Sequence, residues 1–303
     1  MTFSVTKKAI IALILANIIW GATPPLMKWA LTDVPTFTLA FLRYLIPSIL
    51  LGIIAFKRLR IDKKDIPKII VAAVTGTTLN IGLYFIGMHY TQSINVTVIA
   101  SASPVFLLIG CMLFLNERPS KKTLLGNLMG LSGVLLIVIE PILVMQASKS
   151  FIGNLLLVGS AIASIVNTLI AKELVGKYSA MTLTFWTFFI GAISFLPLAG
   201  YEQLTQGLFI THLTLSGVVG IIYGSFFASF LAWLLFYYGL RRVLASETGV
   251  FMYIDPIATL VVAIPLLHEF PTPLFILGSL FVFFGIYIAE GRLHWHPLHR
   301  LLK

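Results

Sequence analysis

Asn116-Glu117-Arg118-Pro119, followed by Leu125-Gly126 and then by Gly133, returns 152 residues later as His268-Glu269-Phe270-Pro271, followed by Leu277-Gly278 and Gly285. The same offset pairs Pro104 with Pro256. A looser match at an offset of 144 pairs Lys28 with Lys172 and Leu39 with Leu183. Self-similarity at a long, nearly fixed offset marks a duplicated unit. The chain is therefore read as two repeats, 1–145 and 146–303, that together make one domain.

What surrounds these repeats follows from composition. Of 303 residues, 58% are hydrophobic and only 11% charged, and the mean hydropathy is +0.99. A water-soluble domain carries about 25% charged residues, so this surface is made for lipid. A bilayer core needs about 20 apolar residues per helix. Apolar runs near 9–29, 36–56, 67–88, 93–115, 123–139, 151–171, 181–199, 213–238, 243–267 and 273–290 predict ten transmembrane helices, five per repeat. The first run follows Lys7 and Lys8 but is longer than the 7–15 residues of a signal peptide, and it has a counterpart in the second repeat. Cys111, the single cysteine, allows no intrachain disulfide and reads as a small buried hydrophobe.

Charge then orients the spans. Counted by loop, 18 of the 21 Lys and Arg fall on one side, which the positive-inside rule makes cytoplasmic together with both termini. Lys28 and Lys149 fall on the other side, and Arg43 lies within a span. An odd number of spans per repeat must invert the second copy. The charges agree: the inner loop bearing Arg118, Lys121 and Lys122 corresponds to His268–Pro273, which has no Lys or Arg. Conversely, the outer turn His89–Gln92 corresponds to one carrying Arg241 and Arg242. The net charge of +10 is thus topological and implies no nucleic-acid partner.

Candidate functional residues are those that lipid would penalise. Asp255 is placed near the middle of the ninth span, and a carboxylate at that depth costs at least about 2.5–3.5 kcal/mol on insertion scales. It is the candidate to bind a cationic group or to carry a coupling proton; the alternative is a charge pair or helix bridge, with Arg43 as the available partner. Arg43 itself is a candidate to pair with a carboxylate on protein or solute, or to snorkel as an anchor. Pro104 and Pro256 are read as matched helix breaks that free the carbonyls of Ala100 and Met252, with Ser103 and Asp255 just before them. Polar and aromatic groups recur at helical spacing: Asn17 with Trp20, Asn80 with Tyr84, Ser160 and Ser164 with Asn167, and Trp233 with Tyr237. Tyr253 stands beside Asp255. Singly these are interhelical glue; as a set they suit a cavity for an amphipathic solute.

With Trp20-Gly21, Pro35 followed by Arg43, and the paired Glu-x-Pro motifs at Glu117 and Glu269 on the page, the chain resembles the drug/metabolite transporter superfamily, specifically its EamA-type members. The resemblance spans nearly the whole chain. It departs in one respect: Thr187 stands where the second repeat would repeat Arg43. The resemblance implies an all-α integral membrane fold of ten helices as two inverted five-helix repeats around a central cavity. It also implies export of small metabolites or amino acids across the cytoplasmic membrane by alternating access. The expected partners are a small-molecule substrate, the lipid bilayer and protons as candidate coupling ion, in a monomer or homodimer. No cofactor, metal or catalytic residue is expected. His294, His296 and His299 lack the carboxylate or thiol ligands of a metal site, and no nucleotide-binding glycine loop occurs. The alternatives are a membrane-embedded enzyme, which the short loops leave without a soluble donor site, and a non-transporting scaffold, which needs no polar cavity.

Overall fold

A computed structural model of the chain describes residues 3–103, 106, 121–145, 148–175, 177–240, 251 and 254–290. Where lipid excludes water, each backbone N–H and C=O must be satisfied within its own segment, so an apolar run of this length folds as helix. The helices are α1 (Phe3–Ala30), α2 (Thr36–Ala55), α3 (Ile66–Ala73), α4 (Asn80–Tyr90), α5 (Ser93–Ser101), α6 (Lys121–Met145), α7 (Ser148–Val175), α8 (Ala180–Gln206), α9 (Leu215–Ile222), α10 (Ala232–Leu240), α11 (Ile254–Leu267) and α12 (Pro273–Glu290). A π-helical stretch, Val74–Leu79, joins α3 to α4, and another, Tyr223–Leu231, joins α9 to α10.

Among the described residues, seven helices are long and apolar enough to cross a membrane: Lys7–Ala30, Thr36–Ala55, Lys63–Tyr90, Leu124–Leu143, Ser148–Asn167, Met181–Gln206 and Leu215–Phe236. These coincide with seven of the expected spans. The fifth is longer than the sequence pattern suggests, running from Lys121 to Met145. The tenth is the apolar helix α12. Most of the fourth, including Pro104, lies outside the described residues, and the ninth is described as helix only from Ile254. Large aliphatic side chains such as Ile53, Leu143 and Val261 point outward and are exposed, as they must be where the solvent is hydrocarbon.

The chain forms two compact units, and neither is a contiguous half of the sequence. One comprises Met1–Pro24, Gln92–Phe151 and Leu231–Lys303; the other comprises Pro25–Thr91 and Ile152–Phe230.

In the first unit the dominant packing is α6 against α12. It is built on glycine because two backbones can approach closely only without Cβ atoms between them. A Cβ on Gly133 would clash with the carbonyl of Gly278 and lie 2.8 Å from the nitrogen of Val282. A Cβ on Gly285 would lie 2.5 Å from the carbonyl oxygen of Gly126. The helices therefore run antiparallel, with Gly133 opposite Gly278 and Gly126 opposite Gly285. Beside this seam, α5 packs on α11 and α12. Ala9, Ile10, Leu13 and Phe251 make a small core against which Phe236 closes.

In the second unit the dominant packing is α2 against α8, also antiparallel. The Tyr44 and Phe188 rings meet with centroids 5.1 Å apart, while Phe37 stacks on Phe195 at 6.3 Å. Gly87 and Gly153 bring α4 and α7 into backbone contact: a Cβ on either would lie within 2.9 Å of the other's carbonyl oxygen.

Helix ends are held by carboxylates from elsewhere in the same unit, which accept the N–H groups that a helix N-terminus leaves unpaired. Glu202 accepts from Phe37 N (2.9 Å) and Thr38 N (2.7 Å) at the start of α2. Asp33 accepts from Thr214 N (2.6 Å) and Gly217 N (3.1 Å) at the start of α9. Glu269 does the same for α5, accepting from Ser93 N and Ser93 Oγ at 2.7 Å each and from Ile94 N at 3.3 Å. Glu140 accepts from Thr272 Oγ1 beside α12. His268 adopts a left-handed conformation (φ 54°) to turn the chain after α11 and present Glu269. At the opposite end of the second unit, Lys177 bridges Asp62 (2.6 Å) and Asp65, and Lys68 meets Glu173 at 2.5 Å.

Candidate functional site

The candidate residues fall into two groups, one in each unit. In the first unit, α1 approaches the start of α11 so closely that a Cβ on Gly21 would sit 2.7 Å from Asp255 Cα and 2.8 Å from Ala258 Cβ. Thr259 fastens this contact, its hydroxyl lying 2.5 Å from the carbonyl oxygen of Gly21 and 2.9 Å from that of Asp255. Asp255 occupies the first turn of the described part of this helix. Its Oδ1 is buried and accepts no hydrogen bond among the described residues.

Asn17 sits one turn before Gly21 on α1. It donates from Nδ2 to the carbonyl of Leu13 (2.8 Å), and its Oδ1 is likewise buried without a donor. Trp20 meets Trp233 edge-on at 5.4 Å and Phe236 at 5.3 Å. Among the described residues this unit thus holds two buried oxygen acceptors that no donor meets, together with an indole pair.

Pro256 is buried in the first turn of the described part of α11. Met252 and Tyr253 lie outside the described residues, as does Pro104. Ser103 is described, and its hydroxyl donates to the carbonyl of Ala100 at 2.6 Å, the carbonyl that Pro104 was expected to leave free. The backbone of Tyr237 continues α10; its side chain is outside the description.

In the second unit, Arg43 projects from α2. Its Nε donates to Ser229 Oγ at 3.3 Å, and its guanidinium carbon lies 6.0, 5.9 and 6.0 Å from the ring centres of Tyr44, Tyr84 and Phe85. One guanidinium nitrogen, NH1, is buried and has no acceptor among the described residues. Ser225 binds the carbonyl of Leu42 at 3.2 Å. Both serines come from the π-helical stretch Tyr223–Leu231, whose wider winding is the irregularity often found at functional sites.

Asn80, Asn167 and Ser160 contribute to helix packing here. Asn80 Nδ2 donates to the carbonyl of Ser160 (3.0 Å), and Asn167 lies against the π stretch Val74–Leu79, where a Cβ on Gly76 would be 2.9 Å from Asn167 Cβ. In that stretch the hydroxyl of Thr78 is buried and has no partner among the described residues. Ser164, on the same helix as Asn167, is half-buried. Sequence reasoning missed Ser229, Phe85, Thr78 and Thr259. They are common residues in apolar runs, and only their neighbours single them out.

The EamA-like transporter family matches this sequence twice, over residues 7–139 and 151–290. The chain belongs to that family. Its relatives include an uncharacterized transporter of Archaeoglobus fulgidus, 27% identical over 95% of this chain and 99% of its own. Another, from Streptantibioticus cattleyicolor, is named a probable terminal-alkyne amino-acid exporter; it is 22% identical over 94% of each chain. A solved crystal structure aligns over 93% of this chain and 97% of its own with a TM-score of 0.62 and 16% identity, a likeness of fold alone. Against this EamA-like background, the Trp20-Gly21 motif supplies both an indole wall and the close contact that seats Asp255. The second Glu-x-Pro motif supplies Glu269, the carboxylate that holds the start of α5.

Proposed function

We propose that this EamA-like protein is a secondary transporter that exports amino acids or similar small metabolites across the cytoplasmic membrane, with Asp255 as the group that takes up a proton or a substrate ammonium. The observation that carries this reading is the buried Asp255 Oδ1, which meets no donor among the described residues, in the same unit as Asn17 Oδ1, which is also unmet. Alternating access fits a chain of two inverted five-helix repeats with both termini cytoplasmic. Two contacts support the inversion. In the first unit, Gly133–Gly278 and Gly126–Gly285 are exchanged by the sequence offset of 152, the mark of a self-complementary antiparallel contact. In the second, Tyr44 and Phe188, equivalent at the offset of 144, touch each other. Amino acids are favoured as substrates by the name of the Streptantibioticus relative and by the pairing of orphan acceptors with indoles.

The test is solute movement in proteoliposomes with and without an imposed pH gradient, for wild type and Asp255→Asn. Wild type is expected to show saturable, gradient-driven movement of amino acids, and the variant to lose the gradient dependence. A variant with unchanged gradient-driven flux would refute the role of Asp255. Folded wild-type protein that moves none of the amino acids would refute the transport reading.

A further inference from the structure

The second unit contains a half-buried cation with no countercharge of its own. Its five carboxylates are Asp33, Asp62, Asp65, Glu173 and Glu202. Each is engaged at a helix end: Asp33 with Thr214 and Gly217, Asp62 and Asp65 with Lys177, Glu173 with Lys68, and Glu202 with Phe37 and Thr38. Arg43, seven residues and so about 10 Å along α2 from Thr36, is left with a buried NH1 that no acceptor meets among the described residues. Even partial removal of a guanidinium from water without a compensating anion is unfavourable. Its surroundings are nevertheless ordered around it: Ser229 Oγ fixes Nε, three aromatic rings surround the guanidinium carbon, and its stem packs beside Gly224, where a Cβ would stand 3.8 Å from Arg43 Cδ and 3.0 Å from the sulfur of Met27.

We propose that Arg43, with Ser229, Tyr84 and Phe85, forms a receptor for a carboxylate group, the acidic end of a solute whose body is apolar or aromatic. The planar fork of a guanidinium matches the two oxygens of a carboxylate. A single cation suits a monoanion and leaves a phosphate dianion undercompensated, since Lys28, the other basic residue near this end of α2, is bound to the carbonyl of Thr91 at 2.6 Å. The half-buried ring of Tyr84 offers a face to an apolar body, with the fully buried Phe85 packed behind it. Thr187, the counterpart of Arg43 in the second half of the sequence, carries no charge, so this receptor has no twin. Naming the bound group as part of a transported solute rests on the transport reading above; the binding itself does not require turnover.

The experiment measures equilibrium binding at neutral pH to the full-length protein in nanodiscs, using 3-phenylpropionate and its uncharged amide. The acid is expected to bind saturably and the amide at least about tenfold more weakly, the size of a charge-assisted hydrogen-bonded contact. Arg43→Gln should bring the acid down to the level of the amide, and Ser229→Ala should weaken it by a smaller factor while keeping the preference for acid. Acid and amide binding alike to wild type, or no acid binding by folded wild type, overturns the proposal without needing any variant to fold. Undiminished acid binding by Arg43→Gln overturns it too. Carboxylate bound by a protein that moves no solute keeps the receptor and removes the transport reading. Movement of amines with no acid bound does the reverse.

Discussion

Replacing Gly21 by alanine tests whether the contact between α1 and α11 seats Asp255. The added Cβ would sit 2.7 Å from Asp255 Cα and 2.8 Å from Ala258 Cβ, whereas carbon atoms rest at about 3.5–4.0 Å. Nothing flexible stands in the way; the obstacles are backbone and a β-carbon, so the helices must separate by roughly 1 Å. Overpacking of that kind costs about 1–3 kcal/mol. Loosening the bond from Thr259 Oγ1 to the Gly21 carbonyl adds about 1 kcal/mol. Against this, alanine gains up to about 1 kcal/mol of helix propensity over glycine. The net expectation is a loss of about 1–3 kcal/mol.

Gly200→Ala is the control, since nothing lies within 4 Å of its Cβ position and only the propensity gain remains. The assay is reversible unfolding in mixed micelles followed by tryptophan fluorescence, to which Trp20 and Trp233 contribute from beside the contact. A displacement of about 1 Å at a functional group is enough to cost around a hundredfold in rate, so gradient-driven flux should also fall. If Gly21→Ala is as stable as Gly200→Ala, the close approach is not a constraint and the account of how Asp255 is held is wrong.

Two further outcomes are expected. Glu269→Ala removes a buried carboxylate that accepts three hydrogen bonds from Ser93 and Ile94 and should cost about 2–4 kcal/mol; the same unfolding assay decides, and a loss under about 0.5 kcal/mol would refute the capping role. Hydrogen bonds with Asp62 and Asp65 raise the pKa of Lys177 above its usual value, so its contribution to stability is complete below about pH 10.4 and is lost as pH climbs beyond it. The stability difference between wild type and Lys177→Met should therefore stay flat from about pH 6 to pH 9, and a difference that shrinks within that window would contradict the assignment.

Much of the fold was legible in the residues because lipid imposes its rules on composition. Apolar runs such as 36–56 and 181–199 had to be helices in a medium without water, and their limits were misjudged by only a few residues where polar ends such as Tyr201–Gln206 continue the helix. Gly126, Gly133, Gly278 and Gly285 were visible as a repeated pattern, since close helix contact requires the smallest residue wherever it occurs. Asp255 and Arg43 stood out because charge in an apolar run is expensive in any tertiary arrangement.

Tertiary structure alone decided the partners. Glu202 lies 165 residues from Phe37, and Glu269 lies 176 from Ser93; no local spacing encodes which helix end a carboxylate will reach. The grouping of helices was equally hidden, since each compact unit takes segments from both halves of the sequence. The state of each charged group depended on that grouping. Among the described residues Asp255 is left with an unmet oxygen because α1 brings it the backbone of Gly21 and the Thr259 hydroxyl is spent on the carbonyls of Gly21 and Asp255, and Arg43 is left with an unmet nitrogen because every carboxylate in its unit is already held at a helix end. A sequence lists charges, whereas only their packed surroundings determine which of them remain available to bind something else.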